Sequence, residues 1–302
     1  KKMINIVKKN LLFLLILDLY IFSRSLIIGS INVLKNNSSN TLHSRIRRNI
    51  EAKNGKVLIV GCGTSILDIP KTNLETINNE FFTVGMSFAC HLDILFDLYY
   101  VEFGGKNQNY LKDFYEKNLF LPVLEAYKNK KIKLLIHKDF VKSNDYFKIN
   151  NLKFPKELST HMHSGLGLQV FMASKLTKIL KFFGLGFQTS GSLSYILLKL
   201  IDYGAKEIIL AGIDLDDKGY FFSDKKWKGK KIHFPYDSFF DKEYKNKSKK
   251  IDKIHRTNNK EFYRLPMREF LIFIDSIYKQ LAIKLLVNKG NLKNDFDSIM
   301  KK

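Results

Sequence analysis

The chain has 302 residues, 45% of them apolar, which is the composition of an ordinary globular protein and enough for one large α/β domain or two small ones. Lysine and arginine number 51 against 29 acidic residues, a net charge of +22. That balance calls for nucleic acid, anionic headgroups or phosphorylated substrates as partners, unless it reflects only a lysine-rich proteome. The only two cysteines, Cys62 and Cys90, stand in unrelated contexts; they exclude a disulfide framework and a zinc pattern and fit a reducing cytoplasm.

Leu11 to Leu34 is strongly apolar but carries Asp18 and Arg24, and Lys35, His43, Arg45, Arg47 and Arg48 follow it. A clean span needs about 20 predominantly apolar residues, and charges near its middle are costly. No small-residue cleavage site follows, which argues against a cleaved signal peptide. The stretch reads as a helix lying in the inner leaflet, or a poor span, with its bases toward anionic headgroups. The alternative is an amphipathic helix buried against the domain. NNSSN at 36–40 reads as a linker. Residues 1–49 are thus expected to form a membrane-associated segment, and 50–302 the folded domain.

From Lys56 onward short apolar runs alternate with helical stretches. Strands are expected at 57–61 (VLIVG), 81–87, within 94–102, at 131–137 (KIKLLIH), 207–215 (EIILAGIDL) and 281–288 (LAIKLLVN). Helices are expected at 166–184, 192–204 and 267–280, with Gly184 and Gly204 closing the first two. Strands alternating with helices predict an α/β fold with a doubly wound, mostly parallel, Rossmann-like sheet. Ligands of such sheets sit at the carboxyl ends of the strands. Residues 216–254 mix Lys with Tyr, Phe and the only Trp and show no sustained period. A long connection of this kind reads as a mobile lid or as a disordered loop.

The first strand runs into Gly61-Cys62-Gly63, a turn that permits close approach of backbone N–H groups to a ligand. A dinucleotide fingerprint would need a third glycine where Ile66 stands, and a carboxylate at the end of the second strand, which instead ends in Gly85-Met86-Ser87. VGCGT also resembles the first motif of methyltransferases that use S-adenosylmethionine, but the carboxylate is again missing and Ser65 replaces a glycine of that motif. Thr189, Ser190 and Gly191 open an amphipathic helix, where hydroxyls and N–H groups form an anion site or a simple N-cap. Asp214-Leu215-Asp216-Asp217 has carboxylates suited to a divalent cation, yet Asp214 reads better as closing a strand end. His161 and His163 have no third ligand at a convincing spacing and read as a loop pair. Gly165-Leu166-Gly167 reads as a phosphate turn or a helix start. His91, His137 and His233 read as structural, and Cys62 lacks a basic partner that would make it a nucleophile.

Taken in order, VGCGTSILDI (60–69), TSGSLSY (189–195), GAKEIILAGIDL (204–215), IHRTN (254–258) and IKLLVN (283–288) resemble the bacterial sialyltransferases of glycosyltransferase family 42, which act in Campylobacter and Haemophilus lipooligosaccharide synthesis. The resemblance covers about residues 56–290. It implies a single α/β domain of the GT-A type that binds CMP-sialic acid beneath a lid and transfers the sugar without a metal or other cofactor. It implies that His255, just after the lid, is the general base, and that Tyr220 stabilises the departing phosphate. A neutral histidine, with an unperturbed pKa of about 6.5, suits that task. Gly61, Cys62, Gly63, Ser65, Ser87, Thr189, Ser190, Gly191 and Asp214 then fall at donor-binding positions. Cys62, Thr64, Ser87, Glu102 and Asp216 depart from the family's pattern, and a carboxylate at 102 would repel a nucleotide phosphate.

The expected activity is therefore transfer of a sialic-acid-like sugar from a CMP-activated donor to a surface glycan. The expected partners are a nucleotide-sugar donor, a glycan acceptor and the cytoplasmic face of the inner membrane, with no nucleic acid and with a homo-oligomer left open. Two alternatives stand beside it. One is a glycosyltransferase for another donor, CMP-Kdo or a nucleotide diphosphate sugar. The other is a non-catalytic basic binder of nucleic acid or membrane surface, whose affinity would fall steeply with salt.

Overall fold

The structure is a computed structural model that describes residues 39–69, 71–102, 112–140, 156–161, 185–188, 191–215, 220–232, 266–287 and 297–298, and the helical positions Ile16, Tyr20, Ser23 and Ile27. In chain order its elements begin with α1 (Ser39–Glu51), β1 (Lys56–Val60), α2 (Lys71–Glu80), β2 (Phe82–Met86) and β3 (Leu98–Glu102). Then comes α3, which runs from Lys112–Tyr115 through a π turn (Glu116–Phe120) into Leu121–Lys128. There follow β4 (Leu135–Phe140), β5 (Lys156–His161), β6 (Leu185–Gln188), α4 (Ser192–Asp202) and β7 (Glu207–Ala211). The last are α5 (Met267–Gln280), β8 (Lys284–Val287) and β9 (Asp297–Ser298). The chain divides into two compact units, one of residues 1–55, 136–206 and 257–284, the other of 56–135, 207–256 and 285–302. The alternation of elements, read from sequence as a single domain, does not separate them.

In the first unit β4, β5 and β6 run parallel, with His137 opposite Lys156 and Leu158 opposite Leu185. The sequence SLSYILLKLID of α4 is apolar nearly all round, and every residue from Leu193 to Leu200 is buried, as expected of a helix with no solvent face. It ends where Gly204 takes a left-handed conformation, φ +78, which matches the C-terminal glycine expected there. The helix α5 lays Phe270, Leu271, Ile274, Ile277 and Tyr278 inward at helical spacing, and the Tyr278 hydroxyl donates to the Leu197 carbonyl at 2.7 Å. The helix α1 begins within the stretch expected to be a linker. It buries His43, Ile46 and Ile50 while Arg45, Arg47 and Arg48 stay exposed.

The second unit is a parallel sheet in the order β3-β2-β1-β7-β8-β9. Val57 to Val60 of β1 pair with Phe82 to Gly85 on one side and with Ile208 to Ala211 on the other. KVLIV and EIILA are near-continuous apolar runs because a central parallel strand is covered on both faces; Val57, Ile59, Val60, Ile208 and Ala211 are fully buried. The carboxylate of Asp97 fixes the start of β2 by accepting from the Thr83 amide at 2.9 Å, and Lys133 pairs with it at 2.7 Å. The chain winds outward from β1 through β2 to β3, and later returns to place β7 on the far side of β1. The switch point of a doubly wound sheet, where strand order reverses and a crevice opens, therefore lies between β1 and β7.

This is the α/β, mostly parallel, Rossmann-like architecture expected from the alternation of elements. The strand expected at 131–137 begins at Leu135, and α2, α3, β5 and β6 were not foreseen. The helix expected at 166–184 lies outside the described residues. No helix among the described residues is long and apolar enough to cross a membrane.

Candidate functional site at the switch point

At the switch point the exits of β1 and β7 are in direct contact. The Gly61 amide donates to the Ala211 carbonyl at 2.8 Å and the Gly63 amide to Gly212 at 2.7 Å. A Cβ on Gly61 would stand 2.5 Å from the Gly212 oxygen, and one on Gly63 would stand 2.5 Å from Asp214 Oδ2. The glycines of the turn are thus required by the closeness of the two strand exits. Asp214, buried, closes the arrangement. Its carboxylate accepts from the Ser65 amide at 2.9 Å, from the Thr64 hydroxyl at 3.3 Å and from the Ser65 hydroxyl. A buried carboxylate needs such donors, because an unpaired one carries a large desolvation penalty. Asp214 is thereby committed to the turn. Among the described residues no three His, Cys, Asp or Glu side chains cluster as metal ligands.

Cys62, between the glycines, turns its buried thiol away from the crevice. Its Sγ accepts from the Phe88 amide at 3.2 Å and lies 3.7 Å from the Met86 carbonyl, to which it donates. From the other side the Tyr99 hydroxyl donates to the Ser87 carbonyl at 2.6 Å and accepts from the Cys90 amide at 2.8 Å. The exit of β2 is therefore held between a side chain from β1 and one from β3. Held this way, Ser87 takes φ +55, and Leu215, after β7, takes φ +54. The other left-handed non-glycine residues, Asn54, Lys130 and Ala282, follow α1, α3 and α5, where such a conformation is the ordinary way to end a helix. Ser87 and Leu215 have no such cause, and strain of that kind concentrates at functional sites.

Tyr220 joins the same end of the sheet. Residues Gly63 and Tyr220 form an antiparallel bridge, and the Phe221 amide donates to the Cys62 carbonyl at 2.8 Å. The half-buried Tyr220 ring stacks on Phe222 with centroids 5.2 Å apart. Phe221 and Phe222 are fully buried, the former against Trp227 and the latter against Phe88. Residues 220–232, within the stretch expected to be a lid or a disordered loop, dock on the loops after β1 and β2.

Of the residues singled out from sequence, Gly61, Cys62, Gly63, Ser65, Asp214 and Tyr220 meet at the switch point, and Ser87 lies at the neighbouring strand exit. Gly191 belongs to the other unit, where it caps α4 with φ +137, a conformation that by itself requires glycine. Its carbonyl accepts from the Ser194 amide and hydroxyl. Thr189, Ser190 and His255 lie outside the described residues, as do Asp216 and Asp217. His91 places Nε2 2.6 Å from the Asn118 carbonyl, in keeping with a structural role. Tyr99 was not foreseen; in an apolar strand only the need to satisfy its buried hydroxyl marks it out.

The fold is α/β, with mostly parallel, Rossmann-like strand order. No protein-family model matches the chain, and no curated protein matches it. Among solved structures it is similar to the α-2,3-sialyltransferase from Campylobacter jejuni in its apo form, at 16% identity over 80% of this chain and 79% of that one, with a TM-score of 0.35.

The buried thiols give a direct check on this geometry. Burial pushes both Cys62 and Cys90 up to about 12 from an ordinary thiol value of 9.0. Only the thiolate is nucleophilic, so at pH 8 neither thiol of the native protein should react with a disulfide reagent while the denatured protein titrates both. A rapidly modified native Cys62 would contradict its placement. Because the native values lie above the unfolded ones, the stabilisation is complete below about pH 9 and is lost as pH rises toward about 12.

Proposed function

We propose that the chain is a glycosyltransferase that moves a sialic-acid-like sugar from a CMP-activated donor to a surface-glycan acceptor, without a metal. The observation that carries this reading is the meeting of three distant sequence blocks at the switch point: the Gly61–Ser65 turn, Asp214 and Tyr220. The resemblance puts the turn and Asp214 at donor-binding positions and Tyr220 where a tyrosine stabilises the departing phosphate. In the proposed reaction His255 takes the proton of the acceptor hydroxyl as its oxygen bonds to the anomeric carbon. The bond from that carbon to the CMP phosphate oxygen breaks, and CMP leaves with the electron pair. Tyr220 donates a hydrogen bond to the departing phosphate. Ser65 and Asp214 keep the turn in shape.

A different donor is favoured by one observation. The Cys62 thiol is buried toward β2, so no polar side chain projects from between the two glycines. A thermal-shift panel separates the donors, because a specific ligand raises the melting temperature through RT ln(1 + [L]/Kd). CMP should raise it more than CDP, UDP or GDP. A larger shift with UDP or GDP would assign a nucleotide diphosphate sugar, and no shift with any of the four would refute a nucleotide-sugar enzyme.

The base is tested by His255→Ala. A positioned general base contributes about 10²–10⁴-fold, so transfer should fall by that order while CMP binding and melting temperature hardly change. The wild-type rate should decline as pH drops through the histidine's pKa, and the variant should lack that limb. Near wild-type transfer by His255→Ala would remove it from the mechanism.

We further propose that the amino-terminal segment holds the enzyme on the cytoplasmic face of the inner membrane, where a lipid-linked acceptor is made. Residues 11–34 are strongly apolar in sequence, and Ile16, Tyr20 and Ile27 are exposed, as expected of a segment that meets a bilayer surface. Deleting residues 1–38, just before α1, should abolish the vesicle binding that survives high salt and leave a folded domain. Undiminished salt-resistant binding after the deletion would overturn the assignment.

A further inference from the structure

Residues 223–231 read SDKKWKGKK, five lysines in nine positions, whereas Lys and Arg together make up about one residue in six of the whole chain. The structure shows a turn built to clamp itself shut. The Lys226 amide donates to Asp224 Oδ1 at 2.8 Å and the Trp227 amide to the Asp224 carbonyl at 3.2 Å. Trp227 Nε1 donates to the Lys230 carbonyl at 3.1 Å, and a Cβ on Gly229 would stand 2.6 Å from Trp227 Cε2. The indole also meets Phe221 edge-on, with centroids 4.9 Å apart. With Trp227 and the phenylalanines forming the floor, Lys225, Lys226, Lys228, Lys230 and Lys231 are all exposed.

The turn sits at the end of the sheet that carries the candidate site. Lys226 pairs with Asp68, in the turn after β1, at 2.9 Å. His91, in the turn after β2, has its pKa pushed down by burial, with the charge of Lys230 a lesser cause. The cationic surface therefore lies across the loops that follow β1 and β2.

We propose that the lysine turn Asp224–Lys231 is a docking surface for the anionic headgroups of a phospholipid bilayer. Three observations select that occupant. The turn contains no arginine, the residue whose planar fork recognises a single phosphate in a fixed geometry. Its lysines are exposed point charges spread over a surface, which suits a laterally extended array of phosphates. Its one aromatic ring is packed on Phe221 and Gly229, whereas single-stranded nucleic acid needs exposed rings for stacking. The inference deepens the membrane reading above and is independent of the transfer chemistry.

The test uses the full chain and vesicles of phosphatidylcholine with and without phosphatidylglycerol. A juxtamembrane lysine is worth about fivefold in partition. The variant Lys225→Gln/Lys228→Gln/Lys230→Gln/Lys231→Gln should therefore bind anionic vesicles about 600-fold more weakly at low salt. Lys226 is left in place because it holds Asp68. Binding that resists high salt, the signature of the apolar segment, should persist in this variant, so failure of either membrane assignment is visible separately. If the quadruple variant does not keep the wild-type melting temperature, Lys225→Gln/Lys228→Gln should still show a loss of about 25-fold. Equal binding by variant and wild type overturns the proposal, as does equal wild-type binding to vesicles without phosphatidylglycerol. Tighter binding of a single-stranded oligonucleotide, lost with the same four lysines, overturns it in favour of nucleic acid.

Discussion

The Asp214 carboxylate is the constraint on which the site depends. It receives the Ser65 amide and both the Thr64 and Ser65 hydroxyls, and so ties the exit of β7 to the exit of β1 across a sequence separation of about 150 residues. Without these donors the buried carboxylate would lose the partners that offset its desolvation. Gly61 and Gly63 follow from that tie. With the two exits this close, a side chain at either position would collide with Gly212 or with Asp214 itself. A pattern that reads as a ligand-binding turn is therefore first of all a strand-to-strand fastening. Any ligand function of the turn is built on a backbone already fixed by the fold.

A second fastening acts on the other side of β1. Cys62 reaches from β1, and Tyr99 from β3, to the segment Met86–Cys90 that leaves β2. Between them they hold Ser87 left-handed, as the β7 exit holds Leu215. The exits of three neighbouring strands are thus over-determined, which is the condition for keeping a strained backbone in one conformation. Phe88, which follows the strained Ser87, also anchors Phe222, so the segment carrying Tyr220 rests on the same support.

The sheet was legible where burial leaves an unmistakable trace. VLIV, FTVGM and EIILA are covered on both faces and read as apolar runs, and α4 and α5 show their periods plainly. KELSTH (156–161) gave no such signal: it is polar, without alternation, and it is a strand because β4 and β6 flank it in register. The candidate site was legible in its parts, since Gly61, Gly63, Ser65, Asp214 and Tyr220 were all chosen from the sequence and meet in the structure. Their roles were not legible. Position alone made Cys62 a candidate to touch a ligand, and only the fold shows its thiol bonded to the β2 exit. Tyr99 passed unnoticed because a tyrosine in an apolar strand looks like any core aromatic until its hydroxyl acquires partners. The lid reading of residues 216–254 rested on their mix of Lys with Tyr, Phe and Trp; within that stretch Phe221, Phe222 and Trp227 decide the local structure.

Those aromatic residues also explain how so much like charge can be concentrated in one short turn. Lysines packed this densely repel one another, and a solvated loop would relieve that repulsion by extending. Here extension would expose Phe221 and Phe222, each fully buried, and would break the contacts of Trp227 with Phe221 and Gly229. Full burial of an aromatic side chain is worth about 1.5–3 kcal/mol, whereas exposed charges a few ångströms apart repel by about 1 kcal/mol in water and less in salt. Burial wins, and the charge is held in place instead of dispersing. The aromatic floor is fastened in turn to Cys62 through the Phe221 amide and to Phe88 through Phe222. The orientation of the basic surface is thereby set by the same strand exits that shape the candidate site.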